Sequence, residues 1–327
     1  MEKRSLGRSG IVVSRLGLGC ATFGREIDEA TSFQIMDAAL ERGITLFDTA
    51  EAYGGGQARQ YRRDNLGVED VREVSGEMYS SEKILGRWLK SRGVRSRVTI
   101  QTKVSANKSQ QKVQQALEAS LRRLQTDYID LYLFHKYDPD VPLEEGLAAL
   151  DRGEKAGRIR CSGCSNFSSE QLSEALGLSR RNGLPRLGVI QPIYNLARRE
   201  IESDLLPLCQ RQEVGVVTYS PLGAGFLAGK YTHDQAEIPK GTRFDVIPGH
   251  VDVYFHPRSF RVVERLRQMA DRTGHSMVQL AMGWVLKRDG VDSVLIGARH
   301  TGHLDNALRS LEMEFPNEWM VEMNSWD

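Results

Sequence analysis

Asp48, Tyr53, Lys103 and His135 stand at or just beyond the ends of short apolar runs in the first half of the chain. Their types suit one piece of chemistry. A tyrosine phenol, with an ordinary pKa near ~10, is a poor acid at neutral pH, and a close ammonium favours the phenolate and lowers that value. Lys103 supplies the ammonium, Asp48 a carboxylate to hold it charged and oriented, and His135, as a neutral imidazole, a hydrogen bond to a substrate oxygen. Such a set protonates an oxygen while a hydride reaches the attached carbon. No side chain delivers hydride, so a cofactor is required. Each residue alone also has a plainer reading: a turn cap, a loop aromatic, a solvated strand end, a core histidine. Their order and spacing argue for the joint one.

The runs are TLFD (45–48), with Tyr53 five residues on, VTIQTK (98–103) and IDLYLFH (129–135). Stretches with helical spacing separate them, which is the rhythm of strand–helix units. In α/β folds the chemistry collects beyond the carboxyl ends of parallel strands, where these residues fall. Further strand-like runs occupy 15–20, 159–163, 187–191, 215–219 and 292–297. Helical spacing marks 28–42, 81–91, 109–124, 142–156, 168–182, 200–211, 259–273, 276–288 and a short stretch at 302–309. Eight units without a composition break predict a closed (β/α)8 TIM barrel, one domain over 1–327, with an open doubly wound sheet as the alternative. The opening SLGRSGIVVS predicts a β-hairpin before the repeats. Two long loops, 54–79 and 221–258, are expected on the same rim as lids or binding loops. Aromatic and basic residues within them (Tyr61, Arg62, Arg243, Phe244, Tyr254, Phe255) line a pocket or pack the loops themselves, and packing is the preferred reading.

A chain of 327 residues lies within the range of one α/β barrel. Charged residues make up 27% and the net charge is +1, so the balance favours neither a nucleic acid nor an anionic membrane as partner. No apolar stretch approaches the ~20 residues of a membrane span, and MEKRSLGRSG lacks a signal-peptide core, so a cytoplasmic protein is expected. The four cysteines are too few for a disulfide framework, and Cys161 and Cys164 form a lone CxxC without a second pair, so no metal site is expected. Gly17 and Gly19 are a weak echo of a dinucleotide fingerprint, with Thr22 where its third glycine would stand.

FDTAEAYG (47–54), SEKILGRWL (81–89), QTKV (101–104), LYLFH (131–135), the stretch from DPDVPLEEGLAAL to GRIRCSGCSNFSSEQL (138–172), VIQPIYN (189–195), YSPLGAGFLAGK (219–230) and SVLIGAR (293–299) stand in one order along the chain. This collinear set, spanning almost the whole length, resembles the aldo-keto reductases. The resemblance implies an NAD(P)H-dependent carbonyl reductase acting reversibly on a small aldehyde, ketone or sugar carbonyl. Tyr53 is its general acid/base, Asp48 and Lys103 are its partners, and His135 orients the carbonyl. It implies that Ser165, Asn166 and Gln191 hold the nicotinamide carboxamide and that Tyr219 stacks on the ring, leaving pro-R hydride to be transferred. Main chain around Ser220, Leu222 and Gly223 approaches the diphosphate, and the segment from Gly297 to Ala307 takes the adenosine end. There Arg299 is the candidate 2′-phosphate contact, favouring NADPH over NADH, with His303 and Asn306 against the adenine. Two departures stand out. His303, Asn306 and Ala307 replace residues common in the family, and 26 residues (54–79) intervene where many relatives run directly from YG into the SExxLG helix. This insertion is expected to shape substrate access or a subunit contact. Channel beta subunits resemble the same family, so a cofactor-binding regulatory subunit is the second reading. A monomer or a homo-oligomer is compatible with either.

Overall fold

The computed structural model describes residues 1–67, 73–105, 107–233 and 237–326. Eight parallel strands close into a barrel, each followed by helical chain, and the open-sheet alternative falls away. A hairpin of β1 (Lys3–Ser5) and β2 (Val12–Ser14) precedes them. The barrel strands are β3 (Leu16–Gly19), β4 (Leu46–Asp48), β5 (Thr99–Val104), β6 (Ile129–Phe134), β7 (Ile159–Ser165), β8 (Val189–Gln191), β9 (Gly215–Thr218) and β10 (Ser293–Gly297). Ring closure is β10 on β3, with Gly297 level with Gly19.

The hairpin stoppers the amino end of the barrel. Leu6, Ile11 and Val13 pack on the inward side chains Leu46, Leu131, Leu133, Val189, Val217 and Leu295. Outside the ring, Ile100, Tyr132, Phe134, Cys164, Ile190 and Val216 meet the helices in a second, larger cluster. Alternation along each strand thus fills both sides of the wall and leaves its carboxyl rim to polar residues. Asp28 caps the helix Glu29–Glu41 by accepting from the Thr31 amide, and Ser168 and Gln171 form a capping box on Ser169–Asn182.

Three elements differ from expectation. The stretch at 200–211 divides into a single turn, Glu200–Glu202, and the helix Leu205–Gln212, where the Asp204 carboxylate accepts from the Leu205 amide. A further helix, Asn317–Asn324, runs beyond the last unit. The insertion opens with a helix, Gly55–Leu66, rather than loop. Gly55 is obligatory there, because a Cβ would sit 1.9 Å from the Ser75 carbonyl oxygen and 2.3 Å from that of Gly24. Arg62 and Glu73, both buried, pair inside the insertion, with Arg62 Nη1 3.0 Å from Glu73 Oε2. Residues 68–72, including the charges Glu69, Asp70 and Arg72, lie outside the described residues.

Candidate active site

β4 ends on Asp48, β5 carries Lys103 one residue before its end, and His135 follows β6 directly, so three adjacent strands bring these groups to one rim. Lys103, fully buried, places Nζ 2.6 Å from Asp48 Oδ1 and donates to the Thr49 carbonyl at 2.9 Å. The same carboxylate oxygen accepts from Gln101 Nε2 at 2.6 Å and Gln191 Nε2 at 2.9 Å. Three donors on one buried oxygen hold the carboxylate rigidly. Lys103 Nζ lies 5.1 Å from the centre of the Tyr53 ring. The His135 ring meets that ring edge-on, with centroids 5.5 Å apart.

Burial, the largest influence, and the Asp48 carboxylate after it push the Tyr53 phenol well above its ordinary value, with Arg25 pulling the other way. This reverses the expectation of a lowered value. Asp48, at contact distance from Lys103, offsets the ammonium and adds its own field to the cost of leaving water, so the phenol is raised rather than lowered. Burial draws Lys103 down while Asp48 opposes it. His135 is driven to about 3 by burial and then by Lys103, Lys108 and Lys136, so the imidazole is neutral over the physiological range. Ser105 Oγ lies 2.7 Å from His135 Nδ1. With Ser105 donating there, Nε2–H is left as the donor facing the rim.

The residues expected around a nicotinamide form one network. Ser165 Oγ donates to the Gln191 carbonyl at 2.7 Å, and Asn166, at φ +58°, donates to the His135 carbonyl at 2.9 Å. Tyr219 OH donates to Asn166 Oδ1 at 2.8 Å. Gln191 spends its amide nitrogen on Asp48, while its oxygen accepts nothing among the described residues. Beyond Tyr219, Ser220, Gly223, Ala224 and Gly225 all take left-handed backbone, with φ from 57° to 88°. Gly223 is required, since a Cβ would meet the Tyr254 ring at 2.8 Å. The amides of Leu222 and Ala224 donate to nothing among the described residues, which leaves a concave turn with free N–H groups, a form that takes anions. Gly297 opens on empty space. Arg299 is exposed, donates from Nη1 to the Gly241 carbonyl at 3.2 Å, and gives its amide to His303 Nδ1. His300 and His303 rings lie 3.9 Å apart, Asn306 is exposed on the helix Thr301–Glu312, and Ala307 is buried, where an amide would have no outlet. These residues fit a dinucleotide laid from Gln191 to Arg299.

In the second long loop, Phe244, Tyr254 and Phe255 pack with Phe226, Tyr231 and Phe260, as the packing reading expects. Arg243 pairs with Glu26, and Tyr61 is 62% exposed. Cys161 and Cys164 are buried free thiols. No helix among the described residues is long and apolar enough to cross a membrane. Gln101, Thr49, Ser105 and Arg25 were not singled out by sequence. Their roles arise from pairings across strands and loops that no linear spacing records.

A closed parallel barrel with a buried lysine–carboxylate pair, a phenol and a neutral imidazole at its carboxyl rim defines a barrel oxidoreductase. Residues 15–327 match the Aldo/keto reductase family, and the chain belongs to that family. It is 35% identical to Aldo-keto reductase YhdN of Bacillus subtilis (strain 168), over 93% of this chain and 87% of that protein. It is 32% identical to Uncharacterized oxidoreductase YrpG of the same organism, over 99% and 95% of the two chains. A Probable voltage-gated potassium channel subunit beta of Arabidopsis thaliana is 29% identical over 96% of this chain and 92% of its own length. Membership supports an NAD(P)H-dependent oxidoreductase acting on small-molecule carbonyl compounds.

Proposed function

We propose that this single-domain barrel is an NADPH-dependent reductase of aldehydes or ketones, sugar carbonyls included, working reversibly with Tyr53 as general acid/base. The observation that carries this reading is the Lys103–Asp48 pair beside the Tyr53 ring, with His135 edge-on to it. The reduced nicotinamide, when bound, supplies the hydride. Ser165, Asn166 and Gln191 orient its carboxamide, Tyr219 covers one ring face, and the turn at Ser220, Leu222 and Gly223 holds the diphosphate. Gly297, Arg299, His303 and Asn306 take the adenosine end, and Arg299 reads the 2′-phosphate. His135 Nε2–H donates to the carbonyl oxygen and fixes its direction toward Tyr53. Tyr53, kept as a phenol by burial and Asp48, gives its proton to that oxygen as charge develops on it. Lys103 then stabilises the phenolate, and Asp48 keeps the ammonium in place. Neutral donors beside a developing oxyanion need no reorganisation at the moment of reaction.

A soluble cytoplasmic enzyme, monomeric or homo-oligomeric and without nucleic-acid or membrane partners, is the setting this reading implies. The test is NADPH and NADH consumption at 340 nm against a panel of aldehydes, ketones and keto sugars, beside Tyr53→Phe. Turnover in wild type with at least a hundredfold loss in the variant is expected. Tight NADPH binding without turnover on any member would instead favour a cofactor-sensing partner subunit, as the names of the channel-beta relatives suggest.

A further inference from the structure

The loop that leaves β3 holds a cation that the chemistry above does not use. Arg25 is fixed at its backbone, donating to the Thr22 carbonyl at 3.1 Å and accepting from the Val74 amide of the insertion at 3.0 Å. Its guanidinium makes no hydrogen bond or ion pair among the described residues, and its Nε is buried without a partner. The carboxylate that offsets it most, Glu73, has both oxygens engaged by Arg62, and Arg59 Nε lies 3.8 Å away. Glu26, next in sequence, pairs with Arg243 instead. Arg25 is half-buried, and a guanidinium nitrogen shut off from water without a partner is costly, a cost recovered when an anion with planar oxygens arrives.

The position of Arg25 says where that anion lies. The loop carrying Arg25 lies against the chain that leaves Tyr53: the Gly24 carbonyl oxygen closes on Gly55, and Ser80 Oγ donates to the Phe23 carbonyl at 3.0 Å and accepts from the Gly55 amide at 3.2 Å. Arg25 thus stands on the reacting side of the rim, where its charge also acts on the Tyr53 phenol. A ligand bound between Tyr53 and Arg25 therefore meets a guanidinium that has no partner of its own among the described residues.

We infer that Arg25 is the seat of an anionic oxygen group, a carboxylate or phosphate, on a ligand that lies beside Tyr53. Resting on the reductase reading, its main form is a substrate class: carbonyl compounds that also carry an acid group. The other source of the same chemistry is a phosphate of the dinucleotide. Arg25 then acts by specificity, drawing the acid group and so setting the carbonyl against Tyr53 and His135.

The first measurement is thermal stabilisation of the full chain by malonate and by inorganic phosphate, with and without saturating NADPH, in wild type, Arg25→Ala and Arg25→Gln. Wild type should gain about 2 °C at tenfold excess over the dissociation constant, and both variants much less. Stabilisation that persists under NADPH assigns the seat to the substrate, and stabilisation that NADPH abolishes assigns it to the dinucleotide. The second is the ratio of kcat/KM for matched pairs, succinic semialdehyde against butanal and glyceraldehyde 3-phosphate against glyceraldehyde. For a substrate seat the ratio falls at least tenfold in Arg25→Ala and is partly restored in Arg25→Lys. Equal anion stabilisation in wild type and both variants overturns the proposal. Loss of stabilisation in the variants with no turnover by wild type leaves the seat standing and removes the reductase reading alone.

Discussion

Lys103 Nζ and Asp48 Oδ1 meet 2.6 Å apart with almost no exposure of either, and Gln101 and Gln191 complete the shell around the same oxygen. Every donor there converges on one carboxylate, so the pair cannot be broken from one side without stranding the other. Lys103→Met leaves Asp48 buried and unpaired and should cost about 3–5 kcal/mol in urea unfolding. The double variant Asp48→Leu/Lys103→Met should regain only part of this, because both glutamine amides lose their acceptor. Neither should regain activity. Activity restored with stability would show the pair to be structural only.

The pH behaviour of the two directions should differ. His135 sits near 3 and Tyr53 far above the working range, so neither titrates between pH 5 and 9, and kcat/KM for reduction should be flat there. Alcohol oxidation needs the phenolate, a minor form that grows about tenfold per pH unit, and its rate should climb with that slope. A break in the reduction profile near pH ~6.5 would mean an ordinary imidazole. In stability the sign is also fixed. The folded His135 binds its proton later than the unfolded chain, so the stability of wild type should decline as pH falls below about 6.5 toward 3, and His135→Gln should show a shallower decline on chemical denaturation.

Ser105 fixes the imidazole by its 2.7 Å contact with Nδ1, and Glu51 fixes Ser105 by accepting its amide at 3.0 Å. Ser105→Ala should lower kcat about fivefold with little change in KM, the worth of one ordinary hydrogen bond acting on the transition state. Ser105→Thr should rescue it. A change confined to KM would mean that Ser105 shapes the substrate pocket rather than the imidazole.

Arg299 stands exposed at the entry to the helix Thr301–Glu312, its side chain bonded among the described residues only to the Gly241 carbonyl, a contact it can exchange for a phosphate. Arg299→Ala should weaken NADPH binding about 10- to 100-fold in fluorescence titration and leave NADH binding within about twofold. Equal weakening of both would place the arginine on the diphosphate.

Much of this was legible in the chain because the strands are short and end on their chemistry. TLFD, VTIQTK and IDLYLFH announced β4 to β6 within a residue or two, and their terminal Asp48, Lys103 and His135 followed. The hidden parts depend on partners far apart in sequence. The helix Gly55–Leu66 begins with glycines and carries no apolar stripe, so its periodicity is silent, and its seat is set instead by the close approach of Ser75 and Gly24. Gln101 reads as an inward strand residue until Asp48 is seen across the strand pair. The raised phenol of Tyr53 is likewise a property of burial, which composition does not carry.

The most direct measurement is single-turnover NADPH oxidation by stopped flow, with a carbonyl substrate at saturation, in wild type and Tyr53→Phe. Removal of the phenolic proton should slow the step about 10²- to 10⁴-fold while the NADPH dissociation constant stays within about twofold. Equal rates in the two proteins would contradict Tyr53 as the proton donor.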